Sequence, residues 1–326
     1  MRAWQVARLG EPADALDLVD LPEPQPGPGQ VAVRVRATAL NFPDVLLCRG
    51  HYQVRPPLPF TPGVEVCGEV VNVGAGVDRR IGERVIGTPS LPSGGLAEVA
   101  ILNAVDVFDA PDSLSDTEAA ALHIAYQTGF VALHRRAHLQ PGETLLVHAA
   151  AGGVGSAAVQ LGKAAGARVI AVVGGPAKAE VAAKLGADLV IDRREQDFVA
   201  AVKEATGGRG ADVVYDPVGG DAYAGSARCV AFEGRILVIG FASGTVPAPP
   251  LNHALIKNYS IVGVHWGLYR QLDPAAVVAA HTALLDLAAK NVIKPLVSEV
   301  LPLEKAVDGL TKLGAGETVG RVVITP

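Results

Sequence analysis

Between the apolar run "TLLVHAA" and the alanine-rich segment "SAAVQLGKAAG" stand Ala151, Gly152, Gly153, Val154 and Gly155. Together with Ala150 they are one residue short of G-x-G-x-x-G, with alanine at the first glycine position. At a strand-to-helix turn, Gly152 lets the backbone approach a pyrophosphate and Gly155 lets the helix pack close to the strand. The helix N-terminus then offers free N–H groups and a positive dipole end to the phosphates. Alanine at 150 is tolerable if that residue needs no positive φ. The alternative is a glycine-rich turn that binds nothing, and the strand-rich surroundings weigh against it.

The next strand bears on which dinucleotide is bound. An NAD site carries Asp or Glu about 20 residues beyond the turn, where the carboxylate accepts from the ribose 2′-OH. Here "RVIAVVGGPAK" places Val173, Gly174 and Gly175 at that point, with Lys178 in the first turn of the following helix. Beyond the third strand, "DRRE" supplies Arg193 and Arg194. Cations without a competing acid form a charge-assisted pocket for a 2′-phosphate, so NADP(H) is expected over NAD(H). Three ordinary solvated cations are the other reading.

The elements around these residues follow from pattern. Before residue 122, short β-branched segments such as "QVAVRVRATAL", "GVEVCGEVVNVG" and "GERVIGT" alternate with Pro and Gly, which predicts an antiparallel, barrel-like β domain. From Thr144 the strands "TLLVHA", "RVIAVV", "DLVID", "DVVYD", "RILVIG" and "SIVGVH" are mostly separated by Ala-rich helical segments, which predicts a doubly wound parallel sheet of α/β class. A long helix in "DPAAVVAAHTALLDLAAKN" and a last strand "GRVVIT" close the chain, and that strand is expected to rejoin the first domain. The expected division is residues 1–122 with 266–326, and residues 123–265.

Composition narrows the function classes. Of 326 residues, 49% are hydrophobic and 19% charged, enough apolar content for a large core or a buried subunit contact. A net charge of −5 with scattered basic residues argues against nucleic-acid binding. Three dispersed cysteines form neither a disulfide framework nor a Cys-x-x-Cys site, which fits a reducing compartment. The start "MRAWQVARLG" has no apolar run, and no stretch reaches membrane-spanning length, so a cytoplasmic protein without membrane attachment is expected.

The segment "ATALNFPDVLLCRGHYQVRPPLPFTPGVEVCGEVVNVG" (Ala37 to Gly74) resembles the quinone oxidoreductase branch of the medium-chain dehydrogenase/reductase superfamily. The resemblance continues through "GERVIG", "AAALHIAYQTGFVAL", "VHAAAGGVG", "VVYDPVGG", "LVIGFASG" and "GRVVIT", and so covers essentially the whole chain. "VGVHWGLYR" looks like the quinone oxidoreductase-like subgroup. The resemblance implies a Rossmann domain beside a GroES-like β-barrel domain, with the cofactor in the cleft between them. It also implies a homodimer joined through the last sheet strand, near "SIVGVH".

Zinc members of the superfamily hold their metal with Cys, His and Cys. At the matching positions this chain has Asn41, Val64 and Ile124, and the four-cysteine structural lobe is replaced by the short loop "GTPSLPSGGLAE". Those side chains cannot form such a zinc site, so no metal is expected and Cys48 and Cys67 are read as small core residues. Hydride addition to a quinone or activated alkene needs only donors for the developing oxyanion. The resemblance points to Asn41 and Tyr52 as those donors and to Thr128 as a residue facing the nicotinamide. Asn41 as a helix cap, Tyr52 as a packing residue and Thr128 bonded to its own helix are the competing readings. Asp44 and Glu65, behind the lost metal, are expected to make structural hydrogen bonds. Cofactor contacts are expected further at Val218 in "DPVGG", Phe241 and Ala242 in "GFASG", and His265, Trp266 and Gly267 in "VHWG". The expected activity is zinc-independent, NADPH-dependent quinone reduction. The alternatives are reduction of α,β-unsaturated carbonyls (alkenal or enoyl) and a non-catalytic, crystallin-like NADPH-binding role.

Overall fold

The computed structural model describes residues 1–326, which divide into two compact units. In chain order the strands are β1 (Arg2–Val6), β2 (Leu16–Asp20), β3 (Gln30–Ala39), β4 (Val66–Val73), β5 (Arg84–Gly87), β6 (Val99–Asn103) and β7 (Val107–Asp109). Then come β8 (Thr144–His148), β9 (Arg168–Val173), β10 (Leu189–Asp192), β11 (Ala211–Asp216), β12 (Val230–Val238) and β13 (Ser260–Gly263). The last two are β14 (Val297–Pro302) and β15 (Arg321–Thr325).

The first unit comprises Met1–Ile124 and Lys294–Pro326. Its main sheet runs β14-β15-β3-β4-β5-β7, with β6 also on β3, while β1 and β2 form a separate antiparallel pair. All pairings of the main sheet are antiparallel except β14 with β15, which run parallel. Strand β3 shows why these residues make a sheet: Arg34 and Arg36 are exposed while Val33, Val35 and Ala37 between and beside them are buried. The buried face joins Val66, Val70, Val85 and Leu102 in one apolar cluster. After β3 the chain enters the helix Phe42–Arg49, which ends where Gly50 turns left-handed at φ 68° and its N–H closes the last turn. That helix packs through Val45, Leu47 and Cys48 with Leu303, Leu310, Val322 and Ile324, so the returning C-terminal segment completes this unit's core.

The second unit, Ala125–Ile293, holds a six-stranded sheet of order β10-β9-β8-β11-β12-β13, every pairing parallel. This is the doubly wound order, with the topological switch between β8 and β11. Strand β8 is buried at all five positions, as a central parallel strand with helices on both faces must be. The compact units change at residues 124 and 294, where 122 and 266 were expected, and the second difference is the larger. The reason is packing: helix Pro274–Ala289 buries Val277, Ala280, His281, Leu284 and Ala288, and Gln127 Nε2 donates to the Val277 carbonyl at 3.0 Å.

At the end of β8, His148 is buried, with Nε2 2.8 Å from Ser226 Oγ and the Phe198 ring edge-on to the imidazole. Burial pushes its pKa down from 6.5 to about 4, with Arg193 adding to the shift and Asp216 opposing it. The native state therefore binds fewer protons than the unfolded chain between these values. Stability from this group is complete above about pH 6.5 and is lost as pH falls toward 4, by about 3 kcal/mol in all. Urea unfolding across that range is expected to show the loss in the wild type and a shallower pH slope in His148→Gln.

Candidate active site

The parallel topology brings the predicted cofactor residues to one edge. The turn at 150–155 follows β8, Gly174 follows β9, Arg193 and Arg194 follow β10, and Val218 follows β11. Phe241 and Ala242 follow β12, and His265, Trp266 and Gly267 follow β13. All lie just beyond the carboxyl ends of strands in one sheet, where such sheets bind ligands. At the first turn Ala150 takes no positive φ, and Ala149 takes the left-handed conformation at φ 48° instead. Gly152 caps the helix Gly153–Ala164, and a Cβ on Gly155 would collide with the Ala149 carbonyl oxygen. Asp216 Oδ1 accepts from the N–H groups of Val218 at 2.8 Å and Gly219 at 3.0 Å, holding the fourth loop. The Ala242 N–H donates to the Pro217 carbonyl, which ties the fifth loop to the fourth. His265 precedes the helix Trp266–Leu272, Trp266 is buried, and Arg270 lies over its ring at 5.9 Å.

Three cations gather beside β9. A Cβ on Gly174 would stand 3.4 Å from Arg193 Nε and 3.6 Å from Arg194 Nε, and one on Gly175 would stand 3.0 Å from Arg194 Nη1. Lys178, on the helix Pro176–Lys184 that Gly175 begins, is half-buried, and its pKa is lowered by burial and then by Arg194 and Arg193. The nearby acid, Asp192, is engaged with the backbone: Oδ1 accepts from Gly175 N–H at 2.9 Å and Arg194 N–H at 3.0 Å. These residues fit a phosphate monoester at the ribose end of a dinucleotide.

In the first unit, Asp44 and Glu65 are fully buried and every oxygen faces an N–H donor. Asp44 Oδ2 accepts from Asn41 N–H at 2.9 Å, and Oδ1 accepts from Gly63 N–H at 2.9 Å and Val64 N–H at 3.1 Å. Even so, burial pushes its pKa up from 3.8 to about 6. Glu65 Oε1 accepts from Ile124 N–H at 2.6 Å, while Oε2 accepts from Asn41 Nδ2 at 2.8 Å and from Arg321 Nη2. Burial raises the Glu65 pKa, and Arg321 and Asn41 oppose the shift. Arg321 Nη1 also donates to Asn41 Oδ1 at 2.9 Å. Asn41 is the residue before the helix Phe42–Arg49, yet the acid that meets its backbone N–H is Asp44. Its own amide is committed to Glu65, Arg321 and the Ala39 carbonyl.

Tyr52 is half-buried in the same unit and packs on the apolar cluster of Cys48, Phe60 and Leu96. Thr128 belongs to the other unit and is buried. Burial pushes the thiols of Cys48 and Cys67 up to about 12, so both behave as apolar core groups.

Residues 27–112 match the family model described as alcohol dehydrogenase GroES-like domain, and residues 153–281 match zinc-binding dehydrogenase. A quinone oxidoreductase-like protein 2 homolog of Nematostella vectensis is 39% identical over 293 residues, 89% of this chain and 80% of that protein. The crystal structure of Escherichia coli quinone oxidoreductase complexed with NADPH superposes with a TM-score of 0.93 at 32% identity, over 100% of both chains. The Pseudomonas syringae pv. tomato quinone oxidoreductase gives 0.92 at 34% identity, over 100% of this chain and 99% of that one. The chain belongs to the quinone oxidoreductase branch of the medium-chain dehydrogenase/reductase superfamily.

The three positions that the resemblance matched to zinc ligands face two buried acids. Asn41, Val64 and Ile124 converge on the two buried acids, Val64 and Ile124 through backbone N–H groups and Asn41 through backbone and amide. No group of three or more His, Cys, Asp or Glu is arranged to hold a metal ion. Arg321 is the site residue that sequence reading missed. Its signal was a cation opening an otherwise apolar strand, "RVVIT". Because Glu65 is the counter-charge of a buried guanidinium, Glu65→Ala is expected to lower stability by about 3–5 kcal/mol in urea unfolding. A surface pair such as Arg8–Asp17 is expected to change it by less than about 1 kcal/mol when Asp17→Ala is made.

Proposed function

We propose that this protein is an NADPH-dependent reductase of quinones that works without zinc. The carrying observation is the set of side chains at the former metal positions. Asn, Val and Ile offer no zinc ligands, and the acids behind them are met by Arg321 and backbone N–H groups. An acceptor that needs no Lewis acid fits such a site, and the solved quinone oxidoreductases of E. coli and P. syringae point to the same class.

NADPH supplies the hydride when bound. The chain's own residues then have three tasks. Gly152, Gly153, Val154 and Gly155 cradle the pyrophosphate at the helix start, and Lys178, Arg193 and Arg194 hold the 2′-phosphate. Val218, Phe241, Ala242, His265, Trp266 and Gly267 line the remaining strand ends, and Thr128 serves the nicotinamide end. Asn41 offers the acceptor oxygen the Nδ2 hydrogen now shared with the Ala39 carbonyl, and Tyr52 donates a bond or a proton. Reduction of an enone or alkenal uses the same donors and is the nearest alternative acceptor class. A cytoplasmic location matches the free, buried cysteines.

The unpaired edge of β13 supports a homodimer. The preceding helix Leu251–Lys257 buries no side chain, and Leu251, Leu255 and Ile256 are each more than 70% exposed. Sedimentation is expected to give twice the 33.5 kDa chain mass, and Ile261→Pro on the edge strand is expected to give the monomer.

The deciding assay is oxidation of NADPH and NADH by chelator-treated protein with a simple 1,4-quinone. Rapid turnover preferring NADPH is expected, and negligible turnover with quinone, enone and alkenal alike would overturn the reading. In Arg193→Ala/Arg194→Ala the preference for NADPH is expected to fall by about thirtyfold or more, at about 2 kcal/mol for a charge-assisted bond, with NADH turnover unchanged.

A further inference from the structure

We infer that Arg321 is a positioning residue of this reductase, acting through Asn41 and Glu65 rather than on the acceptor. The inference rests on the reading above. Arg321 opens strand β15 and is 4% exposed. Its two terminal nitrogens have separate partners, Nη1 on Asn41 Oδ1 and Nη2 on Glu65 Oε2. Asn41 closes the triangle by donating from Nδ2 to the same Glu65 oxygen. The amide plane is thereby fixed at its oxygen and at one hydrogen. The other hydrogen, on the Ala39 carbonyl at 3.0 Å, lies outside the ion pair and is the one we assign to the acceptor oxygen.

Two observations separate this arrangement from a merely structural ion pair. A buried pair adds little net stability over apolar residues of equal volume. The rest of the strand, Val322, Val323 and Ile324, is apolar and buried, so the cation serves Glu65 and Asn41 rather than the strand itself. Moreover, Arg321 Nε is buried and has no hydrogen-bond partner. All of its directed bonding thus runs through the two terminal nitrogens, to Asn41 and to Glu65. The planar fork matters as much as the charge. One ammonium point charge cannot hold the Asn41 oxygen and the Glu65 carboxylate in the same fixed geometry.

The consequence is preorganisation. Negative charge growing on the acceptor oxygen meets a donor whose orientation is already set, so little rearrangement is needed during hydride transfer.

The test compares wild type with Arg321→Lys, Arg321→Met and the double variant Arg321→Met/Glu65→Gln. Melting temperature, NADPH Kd by fluorescence, and kcat with a 1,4-quinone are read for each. Arg321→Met is expected to lose stability, because Glu65 is left buried opposite no cation. The double variant is expected to regain the melting temperature while kcat stays about a hundredfold low and NADPH Kd moves less than about twofold. Arg321→Lys is expected to fold and bind NADPH normally with kcat down about tenfold, since charge remains and the fork is gone. Wild-type kcat in either Arg321→Lys or the double variant would make the pair structural only and overturn the inference. Absence of wild-type turnover with quinone and alkenal acceptors would instead remove the reductase reading, and this role with it.

Discussion

A carboxylate carried into an apolar interior must be met by donors on every side, and much of the first unit is arranged around that requirement. Glu65 enters just before β4 and has its donors delivered from three distant stretches: Asn41 after β3, the Ile124 backbone, and Arg321 on β15. For Arg321 to arrive, the chain must return after residue 294 and lay β15 against β3, which it does with Val323 opposite Ala39 and Ile324 opposite Thr38. The C-terminal segment is therefore part of the site as well as of the sheet. Its apolar residues fill the cluster over the helix Phe42–Arg49, and its one buried cation answers Glu65, which Asn41 holds just before that helix.

The second unit applies the same rule to acids at strand ends. Asp216 receives the Val218 and Gly219 N–H groups, and Asp192 receives those of Gly175 and Arg194. Each carboxylate thus shapes a loop at the carboxyl edge of the sheet. This also accounts for the cofactor pattern. An acid does stand close to the turn after β9, but its oxygen is already engaged by the turn's own backbone, and the groups left facing outward around Gly174 and Gly175 are cationic. The side chains left to meet a ligand here are those the backbone has not already claimed.

The sheet order, the strand positions and the carboxyl-edge loops were legible because they depend on short-range signals: apolar runs, glycine at turns, and helical segments between strands. The glycine turn shows both the reach and the limit of such signals. Its location was readable, but the left-handed residue proved to be Ala149, one before the position where the fingerprint has its glycine. The return point at 294 was not readable, since it depends on what helix Pro274–Ala289 packs against, and an amphipathic segment does not name its partner. Arg321 was hidden for a similar reason. Its role exists only through residues 280 and 256 positions away along the chain, and no local pattern encodes that meeting.

The charge arrangement also shows how the two buried acids of the first unit are held by the chain's own donors. Two buried acids bonded to the same residue, Asn41, would raise each other's proton affinity if neither were compensated. Here the two acids are handled differently. Asp44 is met by three backbone N–H groups, which carry no net charge, and burial still pushes it up to about 6. Glu65 is given the full charge of a guanidinium together with the Asn41 amide. The acid nearest the proposed chemistry thus has the stronger partner, and the one that closes the helix start is hydrogen-bonded by backbone dipoles, with Arg321 acting on it only at a distance. A guanidinium cannot be deprotonated in this setting and offers directed donors, so it neutralises Glu65 and orients Asn41 in one step. What it cannot do is accept a substrate oxygen into its coordination as a metal would. That limit fits the proposed acceptors, quinones and activated alkenes, which are electron-poor enough to take a hydride without a Lewis acid.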